Sequence, residues 1–186
     1  MKIIETRLKD AVIIEPQVFK DERGYFFEVY KKTRYQSLGI NAEFVQDNRS
    51  KSTKNVLRGL HFQKNKPQGK LISVSEGVVF DVAVDLRPDS ATFGQYHSVI
   101  LSDENFLQFY IPPGFAHGFC VLSDTATFQY KCTDYYDPSD EGGIIWNDPV
   151  LNIDWPIIEP IISAKDCALP DFFSTKEQII KGWNNG

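Results

Sequence analysis

The clearest periodic signal along the chain lies between Val78 and Leu86, where side chains alternate strictly. Val78, Phe80, Val82, Val84 and Leu86 share one face, and Val79, Asp81, Ala83 and Asp85 share the other. Period two is the signature of a β-strand. Turn residues close it on both sides, Glu76-Gly77 before and Arg87-Pro88-Asp89 after. Similar runs predict strands over Ala11–Pro16, Tyr25–Tyr30, Lys70–Ser75, Tyr96–Leu101, Phe106–Ile111, Gly118–Leu122 and Thr125–Thr133. Helical patterns are few. Thr33–Leu38 suits a turn or two, and Thr175-Lys176-Glu177-Gln178 has the form of a capping box opening a short helix to Gly182. Many short strands without long helices between them predict an all-β sandwich or barrel and argue against a doubly wound parallel sheet.

Length and composition narrow this further. The 186 residues suit one domain with one sizeable core, running over 1–186 with a helical tail at about 172–186. A net charge of −5 disfavours a nucleic-acid partner, whose phosphates need a basic stripe. It leaves room for one phosphorylated small molecule held by a few local cations. No apolar run reaches the ~20 residues of a membrane span, and the start becomes charged too early for a signal peptide. Cys120, Cys132 and Cys167 are odd in number and lack CxxC spacing. They are expected to be buried, reduced thiols of a cytoplasmic protein, not a disulfide framework or a zinc site. No GxGxxG or Walker-type loop is present.

Two of the three histidines sit in unusual segments. One is Leu57-Arg58-Gly59-Leu60-His61-Phe62-Gln63, and the other is Pro112-Pro113-Gly114-Phe115-Ala116-His117. His97 has no such context and is assigned to an ordinary strand surface. The Pro-x-Gly-x-x-His pattern ending at His117 resembles the second metal motif of the cupin superfamily, whose members are small jelly-roll barrels. Metal-binding cupins carry His-x-His and a following Glu on an earlier strand. Here the matching stretch is His61-Phe62-Gln63, with Lys66 and Lys70 beyond it. An amide and ammonium groups make a poor divalent-metal site, so no metal or other cofactor is expected. A histidine base, a fixed lysine cation and a tyrosine acid instead suit proton abstraction beside a carbonyl, as in sugar isomerases and epimerases.

Further blocks follow in order along nearly the whole chain. They include Asp21-Glu22-Arg23-Gly24-Tyr25-Phe26-Phe27-Glu28, Phe44-Val45-Gln46-Asp47-Asn48, Pro67-Gln68-Gly69-Lys70 and Phe80-Asp81-Val82-Ala83-Val84-Asp85-Leu86-Arg87. Later come Pro113-Gly114-Phe115-Ala116-His117-Gly118-Phe119, Tyr130-Lys131-Cys132-Thr133, Trp146-Asn147-Asp148-Pro149 and Ser163-Ala164-Lys165-Asp166. Together with the His61 segment they resemble the dTDP-4-dehydrorhamnose 3,5-epimerase family of metal-free cupin-fold enzymes.

The resemblance implies a dTDP-4-keto-6-deoxy sugar substrate inverted at C3 and C5. It implies His61 as base, Asp166 as the carboxylate paired with it, Lys70 as the enolate-stabilising cation and Tyr130 as the acid. It implies substrate contacts from Arg23, Glu28, Gln46, Asp47, Asn48, Arg58, His117, Glu141 and Lys165. Tyr136 matches the aromatic that stacks on thymine, with its neighbour Tyr135 competing for that role. Asp81 matches either a partner that orients His117 or a structural hydrogen-bonding residue. The family also implies a homodimer with exchanged N-terminal strands. Related enzymes invert only one carbon or move the keto group. A metal-dependent cupin enzyme and a non-catalytic carbohydrate-binding module remain as other readings of the same β-rich pattern.

Overall fold

A computed structural model describes residues 1–183; positions 184–186 of the expected helical tail lie outside the described residues. In chain order the strands are β1 (Lys2–Glu5), β2 (Val12–Glu15), β3 (Phe19–Asp21), β4 (Gly24–Phe26), β5 (Gln46–Thr53), β6 (Leu57–Gln63), β7 (Lys70–Glu76), β8 (Val78–Asp85), β9 (Tyr96–Ser102), β10 (Gln108–Ile111), β11 (Phe115–Val121), β12 (Thr125–Cys132) and β13 (Glu141–Gly143). Three short helices accompany them: α1 (Lys32–Ser37), α2 (Ala164–Cys167) and α3 (Phe172–Trp183). The strands form a six-stranded sheet in the order β1-β2-β10-β7-β12-β5 and a five-stranded sheet in the order β13-β6-β11-β8-β9. All the pairings within both sheets are antiparallel. This is the expected all-β sandwich.

The alternation in β8 does what its pattern requires. Val79 and Ala83 enter the core between the sheets with Ile72, Phe109, Phe119 and Phe128. Val82, Val84 and Leu86 face the other way, into a second core roofed by Ile144, Leu151, Trp155 and Phe172 from the C-terminal segment. Burying both faces of the strand stabilises the chain by roughly 25 cal/mol per Å² of apolar surface removed from water. A third cluster, built on Ile14, Tyr35, Ile40 and Leu71, lays α1 over the outer face of the six-stranded sheet.

Some expectations shift. The strand expected over Tyr25–Tyr30 stops at Phe26. The Val29 carbonyl is taken by the Tyr35 hydroxyl and the Gln108 amide, so side chains rather than a strand partner satisfy this backbone. His97 is not an ordinary surface residue: its ring stands edge-on to the core ring of Phe109 with centroids 6.0 Å apart. Helix α3 begins three residues before the expected box. Asp171 Oδ1 accepts from the Ser174 N–H at 2.7 Å and caps it, while the Thr175 hydroxyl donates to the Gly143 carbonyl at 3.2 Å.

β5, β6 and β13 carry no apolar alternation that announces them, yet they frame the interior cavity. In β5 (sequence QDNRSKST) the inward positions are themselves polar. It pairs with β12 so that Asn48 lies opposite Tyr130 and Gln46 opposite Cys132. β6 and β11 set His61 directly opposite His117, with a register shift beside it at Gly118. That close approach needs glycine on both strands: a Cβ on Gly59 would lie 2.5 Å from Gly118 Cα.

Candidate active site

A cavity of about 510 Å³ opens between the sheets, lined by Arg58, His61, Lys70, His117, Tyr130 and Asp166 among others. Six elements supply its chemistry. β6 carries Arg58 and His61, β7 opens with Lys70, β11 carries His117, β12 carries Tyr130, β13 opens with Glu141, and α2 carries Lys165 and Asp166.

His61 and Asp166 are 105 residues apart in sequence, and their side chains meet with Nε2 2.8 Å from Oδ1. The Asp166 side chain is 6% exposed and that of His61 31%. The second carboxylate oxygen accepts from the Gly59 backbone N–H at 3.3 Å. Burial pushes the Asp166 carboxyl up, but the hydrogen bond and charge of His61 and the Gly59 and Ser163 donors outweigh it and hold it below its ordinary value. Ser163 caps α2: its hydroxyl accepts from the Asp166 N–H at 3.0 Å and so aims the helix's first turn at His61. Ser163 was not among the expected site residues. Its signal was present as Ser-x-x-Asp, the capping pattern, from Ser163 to Asp166.

Deeper in, His117 Nε2 lies 3.0 Å from Asp81 Oδ2, and the Asp81 side chain is wholly buried. This places Asp81 as the group that orients His117. Burial holds the His117 pKa below its ordinary value despite Asp81, so a neutral ring is favoured at neutral pH. The Lys70 pKa is also lowered by burial, offset in part by Cys132, Asp81 and Glu141. Burial raises the Tyr130 hydroxyl, which keeps its proton at neutral pH.

The rim is a polar cluster. Glu141 Oε1 lies 4.0 Å from His61 Nδ1. Its other oxygen accepts from the Tyr136 hydroxyl at 2.7 Å and from the Lys165 ammonium. Burial pushes the Glu141 carboxyl up, but Lys165, Tyr136 and His61 bring it below its ordinary value. Tyr136 rather than Tyr135 is built into this rim: Tyr135 is 66% exposed, and its ring contributes none of these bonds. Gln46 accepts from the Tyr136 N–H at 2.9 Å, and its amide donates to Asn48. Arg58 donates twice to the Ser52 hydroxyl.

Some expected contacts are not brought to this cavity, and Asn48 lines the neighbouring groove rather than it. Arg23 sits at the tip of the β3–β4 hairpin, paired with Asp21. Glu28 pairs with Arg34 at 3.0 Å. Asp47 alternates outward from β5, bonds Lys131 at 2.9 Å and borders a separate groove of about 250 Å³.

The donor set does not suit a metal. His61 Nε2 is taken by Asp166, His117 Nε2 by Asp81, and Gln63 does not line the cavity. Among the described residues no three His, Cys, Asp or Glu side chains converge as ligands.

The profile of the family described as dTDP-4-dehydrorhamnose 3,5-epimerase matches residues 5–174. The chain belongs to that family. The dTDP-4-dehydrorhamnose 3,5-epimerase of Salmonella typhimurium is 56% identical over 173 residues, covering 91% of this chain and 94% of that one. A crystal structure of the Legionella pneumophila dTDP-6-deoxy-D-glucose-3,5-epimerase, in complex with dTDP-4-keto-L-rhamnose, superposes with a TM-score of 0.89. It is 56% identical and covers 91% of this chain and 92% of that one. A 3'-monoepimerase from Streptomyces bikiniensis, in complex with dTDP-quinovose, superposes with a TM-score of 0.87 at 30% identity, covering 97% and 94%. Membership of this epimerase family makes the chain an isomerase with a cupin-like fold. No helix among the described residues is long and apolar enough to cross a membrane.

Proposed function

We propose that this protein inverts C3 and C5 of a dTDP-4-keto-6-deoxyhexose, giving dTDP-4-dehydro-L-rhamnose. The observation that carries the reading is the 2.8 Å His61–Asp166 bond in a cavity shared with Lys70 and Tyr130. Asp166 holds the Nε2–H of His61, which leaves Nδ1 free to take a proton. That proton leaves a carbon beside the C4 ketone, and the C–H electron pair moves onto the C4 oxygen as an enolate. The Lys70 ammonium stabilises that oxygen. The Tyr130 hydroxyl then returns a proton to the opposite face of the carbon. His61 ends protonated and Tyr130 ionised, and exchange with solvent restores both.

Lys165 and Arg58 are suited to the diphosphate through charge-assisted bonds, Tyr136 to the thymine face, and Gln46, Asn48, His117 and Glu141 to the sugar and base edges. Asp47 joins that set once its Lys131 pair opens. Arg23 and Glu28 reach a nucleotide only from a second copy. The exposed Phe19, Tyr25 and Phe26 of the hairpin that carries Arg23 support a homodimer in which the N-terminal segment crosses to the partner's site. The buried thiols of Cys120 and Cys132 and the free Cys167 suit the cytoplasm.

The test is incubation with dTDP-4-keto-6-deoxyglucose in heavy water. Deuterium is expected at both C3 and C5, and dTDP-L-rhamnose after adding a 4-ketoreductase. Label at one carbon alone would reduce the activity to that of a monoepimerase, the reading favoured by the likeness to the Streptomyces bikiniensis enzyme.

A further inference from the structure

Gln63 stands where a metal-binding cupin carries its second ligand histidine, and the chemistry proposed above makes no use of it. It is the last residue of β6, opposite Glu141 on β13, and only 3% exposed. A buried amide must find partners for two N–H donors and one carbonyl. Gln63 spends all of them on backbone. Nε2 donates to the Lys66 carbonyl at 2.8 Å and to the Tyr135 carbonyl at 3.2 Å. Oε1 accepts from the Asp137 N–H at 2.7 Å. Between those two loop contacts sits Tyr136, whose own N–H goes to Gln46 at 2.9 Å.

We propose that Gln63 is a positioning residue for nucleotide recognition: by holding the backbone on both sides of Tyr136, it presets that ring at the cavity rim for a thymine base. The inference rests on the role given above to Tyr136. Residues 135–137 belong to no strand or helix, so side-chain bonds order them: Gln63 holds the backbone on both sides of Tyr136, and Gln46 and Glu141 hold Tyr136 itself. An aromatic ring on an unpinned loop loses affinity to the entropy of ordering it on binding, and a preset ring does not. The buried amide lies one strand-pitch from His61, yet its bonds run to the loop and away from the cavity. Replacing it therefore acts on base binding and not on proton transfer.

The test uses Gln63→Leu, which keeps volume and removes all three bonds, alone and in a Tyr136→Ala background. Calorimetric titration with dTDP and with inorganic pyrophosphate separates base binding from phosphate binding. Gln63→Leu is expected to weaken dTDP about tenfold and pyrophosphate less than twofold. KM should rise about tenfold while kcat changes less than threefold. In the Tyr136→Ala background the same substitution should cost less than twofold.

Unchanged dTDP affinity in Gln63→Leu overturns the proposal. So does a full tenfold loss persisting without the Tyr136 ring, or a Tyr136→Ala variant that binds dTDP normally. If Gln63→Leu does not fold, Gln63→Glu serves. It keeps the acceptor for Asp137 but sets a carboxylate oxygen against two carbonyls, and it should show the same split. Wild-type protein with no epimerase activity but the same dTDP losses would refute the proposed function and leave this inference standing.

Discussion

Replacing Asp166 with asparagine removes one charge and almost no volume. The carboxylate oxygen 2.8 Å from His61 Nε2 is buried, so water screens the pair poorly. With charge centres about 4 Å apart and an effective dielectric near 20, the attraction to an imidazolium is about 4 kcal/mol. At 1.36 kcal/mol per decade, this corresponds to roughly a thousandfold in kcat, provided His61 is charged in the transition state. The amide also has a second effect. If its NH2 faces Nε2, the ring must carry its proton on Nδ1, the nitrogen needed as base. The assay is the 4-ketoreductase-coupled rate at saturating substrate, with dTDP affinity by calorimetry as the control. A thousandfold loss with affinity within threefold is expected. A loss below tenfold with binding intact would refute the base assignment. Stability offers an independent check. The folded-state pKa of Asp166 lies below its unfolded value, so its charge stabilises the fold above about pH 4, and this contribution is lost as pH falls through the folded value. The melting-temperature gap between wild type and Asp166→Asn should therefore shrink in acid.

Lys70 has the opposite sign. Burial lowers its pKa in the fold, so its charge costs stability at neutral pH, and the cost fades as pH rises toward about 10.4. Lys70→Met should raise the melting temperature at pH 7, raise it less at pH 10, and lower kcat by about 100-fold or more; a lower melting temperature at pH 7 would contradict the burial argument. Burial pushes the Cys120 thiol up to about 12 and raises Cys132, whereas Cys167 is exposed. Thiol reagent at pH 8 should label one cysteine quickly in the native protein and three after denaturation, and two fast thiols would break the assignment. Gly59→Ala drives a Cβ to 2.5 Å from Gly118 Cα and 2.8 Å from the His117 carbonyl, and should cost about 3 kcal/mol or more in thermal or denaturant unfolding. Gly24→Ala meets nothing within 4 Å at a similar backbone angle and should cost only about 1 kcal/mol; equal costs would show that φ rather than strand contact is the constraint at Gly59.

How much was legible in the chain depended on where each strand points. β8, β9 and β12 announce themselves in the sequence at nearly their observed bounds, because one face of each is apolar and period two is then visible. β5 does not, because its inward positions Gln46, Asn48, Ser50 and Ser52 are polar; Ser50 lines the central cavity and Asn48 the groove beside it. A strand that lines a binding site loses the hydrophobic alternation that identifies strands. The C-terminal cap was misplaced by a local pattern at Thr175 that lost to Asp171 once the Thr175 hydroxyl found the Gly143 carbonyl.

The sequence by itself determined the class of fold, the family resemblance and the candidate side chains, because each rests on local periodicity or residue type. It also showed that His-x-Gln followed by lysines is a poor metal site. Only the tertiary structure decided which candidates meet. Asp166 reaches His61 because a four-residue helix capped by Ser163 packs beside β6. Arg23, Glu28 and Asp47 carry equally plausible chemistry and point elsewhere within the same chain. The role of Gln63 was decided there too. Residue type identified it only as a lost metal ligand, whereas two of its three backbone bonds depend on a loop some 70 residues away. Such pairings are set by the packing of two sheets, which no window of sequence contains.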